Sequence, residues 1–155
     1  MFKKHVKLIF LLIMVLLFGV IIYVTINKDD GKIPVAKTPK EAIENYFKYY
    51  NERNGRKLLY TLVEEKRNQK WNWEFYNLKS IKLVTIKEDE NRLKSFPEIV
   101  SSISSPNNVK CYDVSFKMNY LIDQLGSMPS GSHTWTFFVT RKDDNSTWLI
   151  YDWES

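Results

Sequence analysis

Few side chains in this chain have the type and spacing for acid–base or covalent chemistry. There is one cysteine, Cys111, and there are two histidines, His5 and His133. No disulfide can close within the chain and no Cys/His cluster of metal-ligand spacing exists, so no metal site and no cofactor is expected. Gly-rich phosphate loops, Gly-x-Ser-x-Gly and His-Glu-x-x-His are all absent from the sequence. Cys111 precedes Tyr112 in an alternating run and so faces away from the main apolar stripe, which suits a passive thiol. A nucleophilic cysteine needs a base and an electropositive setting, and only His133 is at hand. Two other groups share a register with inward-facing apolar side chains. His133 is in phase with Trp135 and Phe137, and Asp152 is in phase with Trp148 and Ile150. His133 follows Gly131-Ser132 and Asp152 lies three residues from the end of the chain, so both are expected at wet strand ends. Tyr112 and Tyr120 add phenols, which are poor bases at a pKa near 10. A general base must share a pocket with the proton it takes. The expectation is therefore no catalytic residue, and no buried carboxylate–histidine or carboxylate–tyrosine pair.

The aromatic residues are the other resource. Of 23 in the chain, 19 fall in residues 37–155. Trp71, Trp73, Tyr112, Phe116, Tyr120, Trp135, Phe137 and Trp148 are the candidates to line an apolar pocket, with Trp71, Trp73, Tyr120 and Trp135 the best placed. A bulky core in a small domain needs the same residues. Ligand pockets are mostly apolar with a few polar groups, so a small apolar ligand or a protein partner is the chemistry these side chains suit.

The elements that must position them follow from periodicity. Thr38-Pro39-Lys40-Glu41 is a helix start, with Thr38 as cap, Pro39 in the first turn and Glu41 three residues past the cap. Ala42, Ile43, Tyr46, Phe47 and Tyr50 follow at helical spacing, and Asn54-Gly55 ends this helix of residues 38–52. A second helix is expected from Arg56 to about Arg67, with Leu58, Leu59, Leu62 and Val63 inward. Four strands follow, over Leu78–Ile86, Asn108–Asp123, Ser132–Arg141 and Thr147–Trp153. In the second, Tyr112, Val114, Phe116, Met118, Tyr120 and Ile122 share one face. The outer face is expected to show Thr134, Thr136, Phe138 and Thr140 of the third strand and Leu149, Tyr151 and Trp153 of the fourth. Such a surface suits a homodimer. Lys87–Asn91 reads as a charged turn, and Ser95–Asn108 as a loop with a helical turn at Pro97–Ser101.

Charge is unevenly spread. The net charge is +5, of which residues 1–36 carry +3 and residues 37–155 only +2. A near-neutral domain lacks the concentrated basic face of a nucleic-acid binder, so none is expected. Leu8–Ile26 is a run of 19 uncharged residues. A helix of that length spans about 28 Å, close to the hydrocarbon thickness. It is read as a membrane-spanning signal anchor after a tail of residues 1–7, because no small-x-small cleavage site follows it. Lys3, Lys4 and Lys7 favour a cytoplasmic N-terminus, leaving the folded part outside the cell membrane. Residues 27–37 read as a linker to a domain over residues 38–155.

Helices followed by antiparallel strands give an α+β domain. Three pieces carry a resemblance over Thr38–Ser155: the opening Thr38-Pro-Lys-Glu-Ala-Ile-Glu-Asn-Tyr-Phe47, the first strand Leu78-Lys-Ser-Ile-Lys-Leu83, and the closing Thr147-Trp-Leu-Ile-Tyr-Asp-Trp153. Their order resembles the nuclear transport factor 2-like, or cystatin-like cone, superfamily. More narrowly, the chain looks like an uncharacterised domain family of exported low-G+C bacterial proteins. The resemblance implies an N-terminal membrane helix followed by a cone, with helices packed on a curved antiparallel sheet. Enzymes of that superfamily place Asp, His or Tyr inside the cone, and some relatives are scaffold subunits. The function expected is a membrane-anchored extracytoplasmic binding domain, with a small isomerase, dehydratase or hydrolase, or an envelope scaffold, as alternatives.

Overall fold

The computed structural model describes residues 13–18, 31–96 and 106–155. Residues 33–155 form one compact unit, apart from a unit of residues 1–32. In the latter, residues 13–18 are helical and exposed. No helix among the described residues is long and apolar enough to cross a membrane. The N-terminal membrane helix expected over residues 8–26 is corrected accordingly; its other residues lie outside those described.

The larger unit opens with helix α1, Pro39–Asn51. Thr38 Oγ1 accepts from the Glu41 amide at 3.1 Å, and one face buries Ala42, Ile43, Tyr46, Phe47, Tyr49 and Tyr50. The helix stops because Arg53 turns left-handed at φ 55°, a conformation costly for a residue with a Cβ. Its guanidinium donates to the Leu78 carbonyl at 2.5 Å, tying the turn to the sheet. Asn54 does more than end α1. Its Oδ1 accepts from the Lys57 amide at 3.0 Å and so caps α2, Gly55–Tyr60. The single second helix expected from residue 56 to 67 is instead two pieces, α2 and the turn α3, Glu64–Arg67. Between them Thr61–Val63 is pulled straight by the sheet. Leu62 bridges Ile150 in parallel, with Ile150 N–H donating to Thr61 O at 2.8 Å and Val63 N–H to Ile150 O at 3.0 Å. This short run covers the edge of the last strand, which would otherwise present unpaired backbone groups.

The sheet has four antiparallel strands in sequence order: β1 Leu78–Glu88, β2 Val109–Tyr120, β3 Gly131–Thr140 and β4 Leu149–Glu154. Alternation in β2 and β3 sends Tyr112, Val114, Phe116, Met118, Tyr120, Phe137 and Val139 into the main core beneath α1. The Phe47 ring lies 5.1 Å from Phe116 and the Tyr46 ring 5.6 Å from Phe137. Ile122, expected on this face, is 52% exposed, because β2 ends at Tyr120. The chain ahead of α1 also docks. Ala36 N–H donates to Thr147 Oγ1 at 2.8 Å, Trp148 N–H donates to Ala36 O at 2.9 Å, and Ala36 is buried.

Two features change the expected faces. The register between β3 and β4 shifts between Phe138 and Val139, so Phe138 pairs with Asp152 and Val139 with Ile150. The extra residue on β4, Tyr151, inverts the alternation beyond it. Trp153 therefore pairs with inward Phe137 and packs on the main core, while Asp152 leaves the inner register expected for it. The charged turn also contains a helix, α4, Glu90–Lys94, capped by Asp89 Oδ1 on the Arg92 amide at 2.9 Å. Leu93 and Phe96 cover Val109, Cys111 and Phe138, which are buried on the outer face. Phe138 and Trp153, two aromatics on which a dimer through that face was expected, are thus turned away from it or covered. Residues 97–101, where a helical turn was expected, lie outside the described residues.

Candidate functional site

Residues 71–75 read Trp-Asn-Trp-Glu-Phe and form an irregular connection ahead of β1. Trp71 and Trp73 lie nearly parallel, 5.0 Å apart, and Phe75 continues the stack 6.5 Å further on. The segment pairs with no strand. Side chains hold it instead: Trp71 Nε1 donates to Lys66 O at 2.8 Å, and the Tyr50 hydroxyl donates to Trp73 O at 3.0 Å. Trp71 and Trp73 form one wall of a cavity of about 150 Å³. Tyr46 and Tyr50 of α1 and Met118 and Tyr120 of β2 also line it, with Trp135 and Trp153 from β3 and β4. Ser127 and Met128 supply the far lip. Trp153 lies 5.2 Å from Trp71 and 5.7 Å from Tyr46, so the ring lining runs from segment to sheet.

Glu74 ties the wall to the lip. The residue is 8% exposed. Its Oε2 accepts from the Tyr120 hydroxyl at 2.7 Å and from the Ser127 amide and Oγ, each at 3.1 Å. Glu74 is itself left-handed, at φ 51°, a strain that persists only where surrounding contacts enforce it. Among the described residues no cationic side chain pairs with it. Gly126 permits the arrangement, since a Cβ there would stand 2.6 Å from the Tyr120 ring. A buried carboxylate–tyrosine pair therefore exists, and the expectation that none would be found is overturned. The tyrosine came from the strand register, whereas the carboxylate comes from a connection outside the sheet.

The titratable groups lining the cavity are phenols. Burial first, then the Glu74 carboxylate, pushes Tyr120 up to about 12. Burial holds Tyr46 and Tyr50 above the ordinary tyrosine range, with Glu74 adding to Tyr50. All three stay protonated at neutral pH, so they donate hydrogen bonds and do not abstract protons. Cys111 is buried away from the cavity, and burial pushes its thiol up to about 12, the opposite of an activated nucleophile. Among the described residues no group of three or more His, Cys, Asp or Glu is placed to hold a metal ion.

The other expected residues are scattered. His133 sits opposite Phe116 in the register, its Nε2 2.9 Å from Pro129 O. Asp152 sits opposite Phe138 and accepts from Lys66 Nζ at 2.7 Å. Five residues of β3 separate the two positions, about 17 Å of strand, so the structure brings no His133–Asp152 pair together. Phe116, Phe137 and Tyr112 are core beneath α1 and outside the cavity lining. Trp148 lies beside Ala36 with the Arg141 guanidinium 4.9 Å over its ring, away from the cavity. Trp71, Trp73, Tyr120 and Trp135 do line it. Sequence reasoning missed Tyr46, Tyr50, Trp153 and Glu74. No sequence pattern signals Glu74, whose place is set by its left-handed backbone and its hydrogen bonds to Tyr120 and Ser127.

Comparison with known protein families decides one further point. Residues 40–153, which span α1 to β4 and all of this site, match the family described as "Domain of unknown function (DUF4829)". The chain belongs to this family. No curated protein and no solved structure matches it. The match assigns the DUF4829 domain neither to the nuclear transport factor 2-like superfamily nor to exported low-G+C bacterial proteins. What the DUF4829 domain does must be argued from the cavity itself.

Proposed function

We propose that this DUF4829 domain is a binding module that takes one small group with apolar faces into its aromatic cavity. The observation that carries the reading is the lining: seven tyrosine and tryptophan side chains and two methionines around about 150 Å³. An apolar cavity of that size holds a benzene-sized group. Aromatic side chains supply large contact area with few rotatable bonds, which keeps the entropy cost of binding low. The titratable groups on the lining are protonated phenols, so the chemistry available is contact and hydrogen-bond donation. We also read α1 packed on a four-stranded antiparallel sheet as nuclear transport factor 2-like, a reading supported by the order of elements.

The test is a fragment titration of the full-length chain read by tryptophan fluorescence. Single-ring neutral compounds, methylated ammonium ions and small carboxylates would be compared. At least one class is expected to give a saturable signal that Trp135→Ala removes while the chain stays folded by circular dichroism. A set of fragments with no saturable response would sink the proposal.

A further inference from the structure

We infer that the aromatic cavity selects a methylated ammonium cation, with the buried Glu74 carboxylate as its counter-charge. The inference rests on the binding reading above and names the class of ligand. Three observations on independent parts of the site point the same way. The first is the rings. A cation within about 6 Å of an aromatic centroid is drawn to the negative face of the ring, and tryptophan and tyrosine are the strongest partners. Tyr46, Tyr50, Trp73, Trp135 and Trp153 converge on the cavity from three elements and one connection.

The second is Glu74. A buried charge normally has a partner of opposite sign. Glu74 has three hydrogen-bond donors, all to Oε2, and no cationic side chain among the described residues. Two of its donors, Tyr120 and Ser127, line the cavity, so the carboxylate stands directly behind the wall. Burial chiefly raises Tyr50 and Tyr120, and Glu74 adds a smaller push to both, so its field reaches the lining. A cation in the cavity would be attracted by the same field, in surroundings that screen it less than bulk water does.

The third is at the rim. Lys66 Nζ stands 5.6 Å over the Trp153 ring, so this wall already accommodates an ammonium group. Lys66 is paired with Asp152 and is not part of the lining, and among the described residues no cationic side chain lines the interior. A trimethylammonium head is about the size of the ring that a 150 Å³ apolar cavity holds. Its methyl groups shed water easily, whereas a lysine ammonium keeps its hydration shell.

The experiment compares choline with 3,3-dimethylbutan-1-ol, in which carbon replaces the charged nitrogen at equal shape. Both would be titrated against the full-length chain at fixed ionic strength and read by tryptophan fluorescence. Choline is expected to bind at least ten-fold tighter, and Glu74→Gln, which keeps an acceptor oxygen for Tyr120 and Ser127, to reduce that ratio several-fold. Equal binding of the two would overturn the cation while leaving the cavity a binding site. Binding of neither would remove both. Should Glu74→Gln not fold, fluorinated tryptophan incorporated into the unaltered sequence keeps ring shape and weakens the negative face. Choline affinity should then fall with fluorine number and that of the alcohol should not; parallel behaviour would overturn the inference. Glycerophosphocholine separates the two sources of this chemistry. Affinity matching that of choline points to a lipid headgroup and weaker affinity to the free ion, and the class stands with either result.

Discussion

The two ends of the inner sheet face are built by opposite means. At one end Leu58, Leu62, Val139 and Ile150, each fully buried, are sealed by backbone hydrogen bonds from Thr61–Val63 and by the docked Ala36. At the other end the tyrosines of the cavity are buried but its four tryptophans only partly so, and Trp71, Trp73 and Glu74 are held by side-chain hydrogen bonds. Backbone pairing is indifferent to side-chain identity, so the sealed end is fixed by topology. The latched end depends on particular hydroxyls, one carboxylate and one glycine, so single substitutions can open it without dismantling the sheet.

The sharpest way to break that comparison is to truncate both ends equally. Ile150→Ala removes a side chain with no exposure and should cost about 2–5 kcal/mol, enough to unfold much of a marginal domain. Trp135→Ala removes a partly buried ring at the mouth and is expected to cost clearly less, despite its greater size. Urea unfolding would measure both. A loss for Trp135→Ala as large as that for Ile150→Ala would show the latched end to be core after all.

Next in size is Gly126→Ala. The added methyl must displace the Tyr120 ring, which it would meet at 2.6 Å, or shift the loop away from it. Overpacking of this kind costs about 1–3 kcal/mol. Here it should also perturb the tryptophan emission spectrum, because the lip moves with Ser127. The same substitution at exposed Gly31 would be a poor control, since its positive φ penalises alanine without any contact. A silent Gly126→Ala, in both stability and emission, would mean that the lip floats free of the wall.

Tyr120→Phe tests the latch more gently and brings pH into play. It removes one hydrogen bond to Glu74, worth about 1 kcal/mol. Tyr112, Tyr120 and Cys111 are all pushed up to about 12 in the folded chain, chiefly by burial, from ordinary values of 10.0 and 9.0. The folded state therefore keeps protons that the unfolded chain releases from about pH 9 upward. Their contribution to stability is complete below that pH and is lost as pH rises toward 12. Unfolding midpoints should be flat through neutral pH and fall steadily above about 9. In Tyr120→Phe the fall should be shallower, and an unchanged alkaline slope would contradict the burial of this hydroxyl.

The uneven legibility of the sequence has the same origin as the two ends. The strands and α1 were readable because strict alternation and a capping sequence act locally. Thr61–Val63 was not, since its helical spacing lost to a tertiary demand from the edge of β4. Trp153 and Asp152 were assigned to the wrong faces because one extra residue inverts parity, and Tyr151 gives no composition signal for a bulge. For the cavity, the rings at Trp71, Trp73, Tyr120 and Trp135 were visible as types. Glu74 was passed over because it lies in a connection and its left-handed backbone is a product of the fold.

The smallest expected effect is at the rim. Lys66 and Asp152 form an ion pair whose side chains are 21% and 47% exposed. Solvent screens such a pair, and partly exposed pairs contribute under about 1 kcal/mol. Lys66→Gln should therefore shift the unfolding midpoint little, in contrast with every substitution above. It should nonetheless alter binding, because the ammonium 5.6 Å over Trp153 repels an incoming cation and occupies one face of a lining ring. Choline affinity is expected to rise modestly in Lys66→Gln, and that of its neutral isostere to stay level. Asp152→Asn should work in the opposite direction by leaving the Lys66 charge uncompensated. If both variants leave choline affinity unchanged while Glu74→Gln lowers it, the rim is electrostatically silent and selectivity belongs to the buried carboxylate alone.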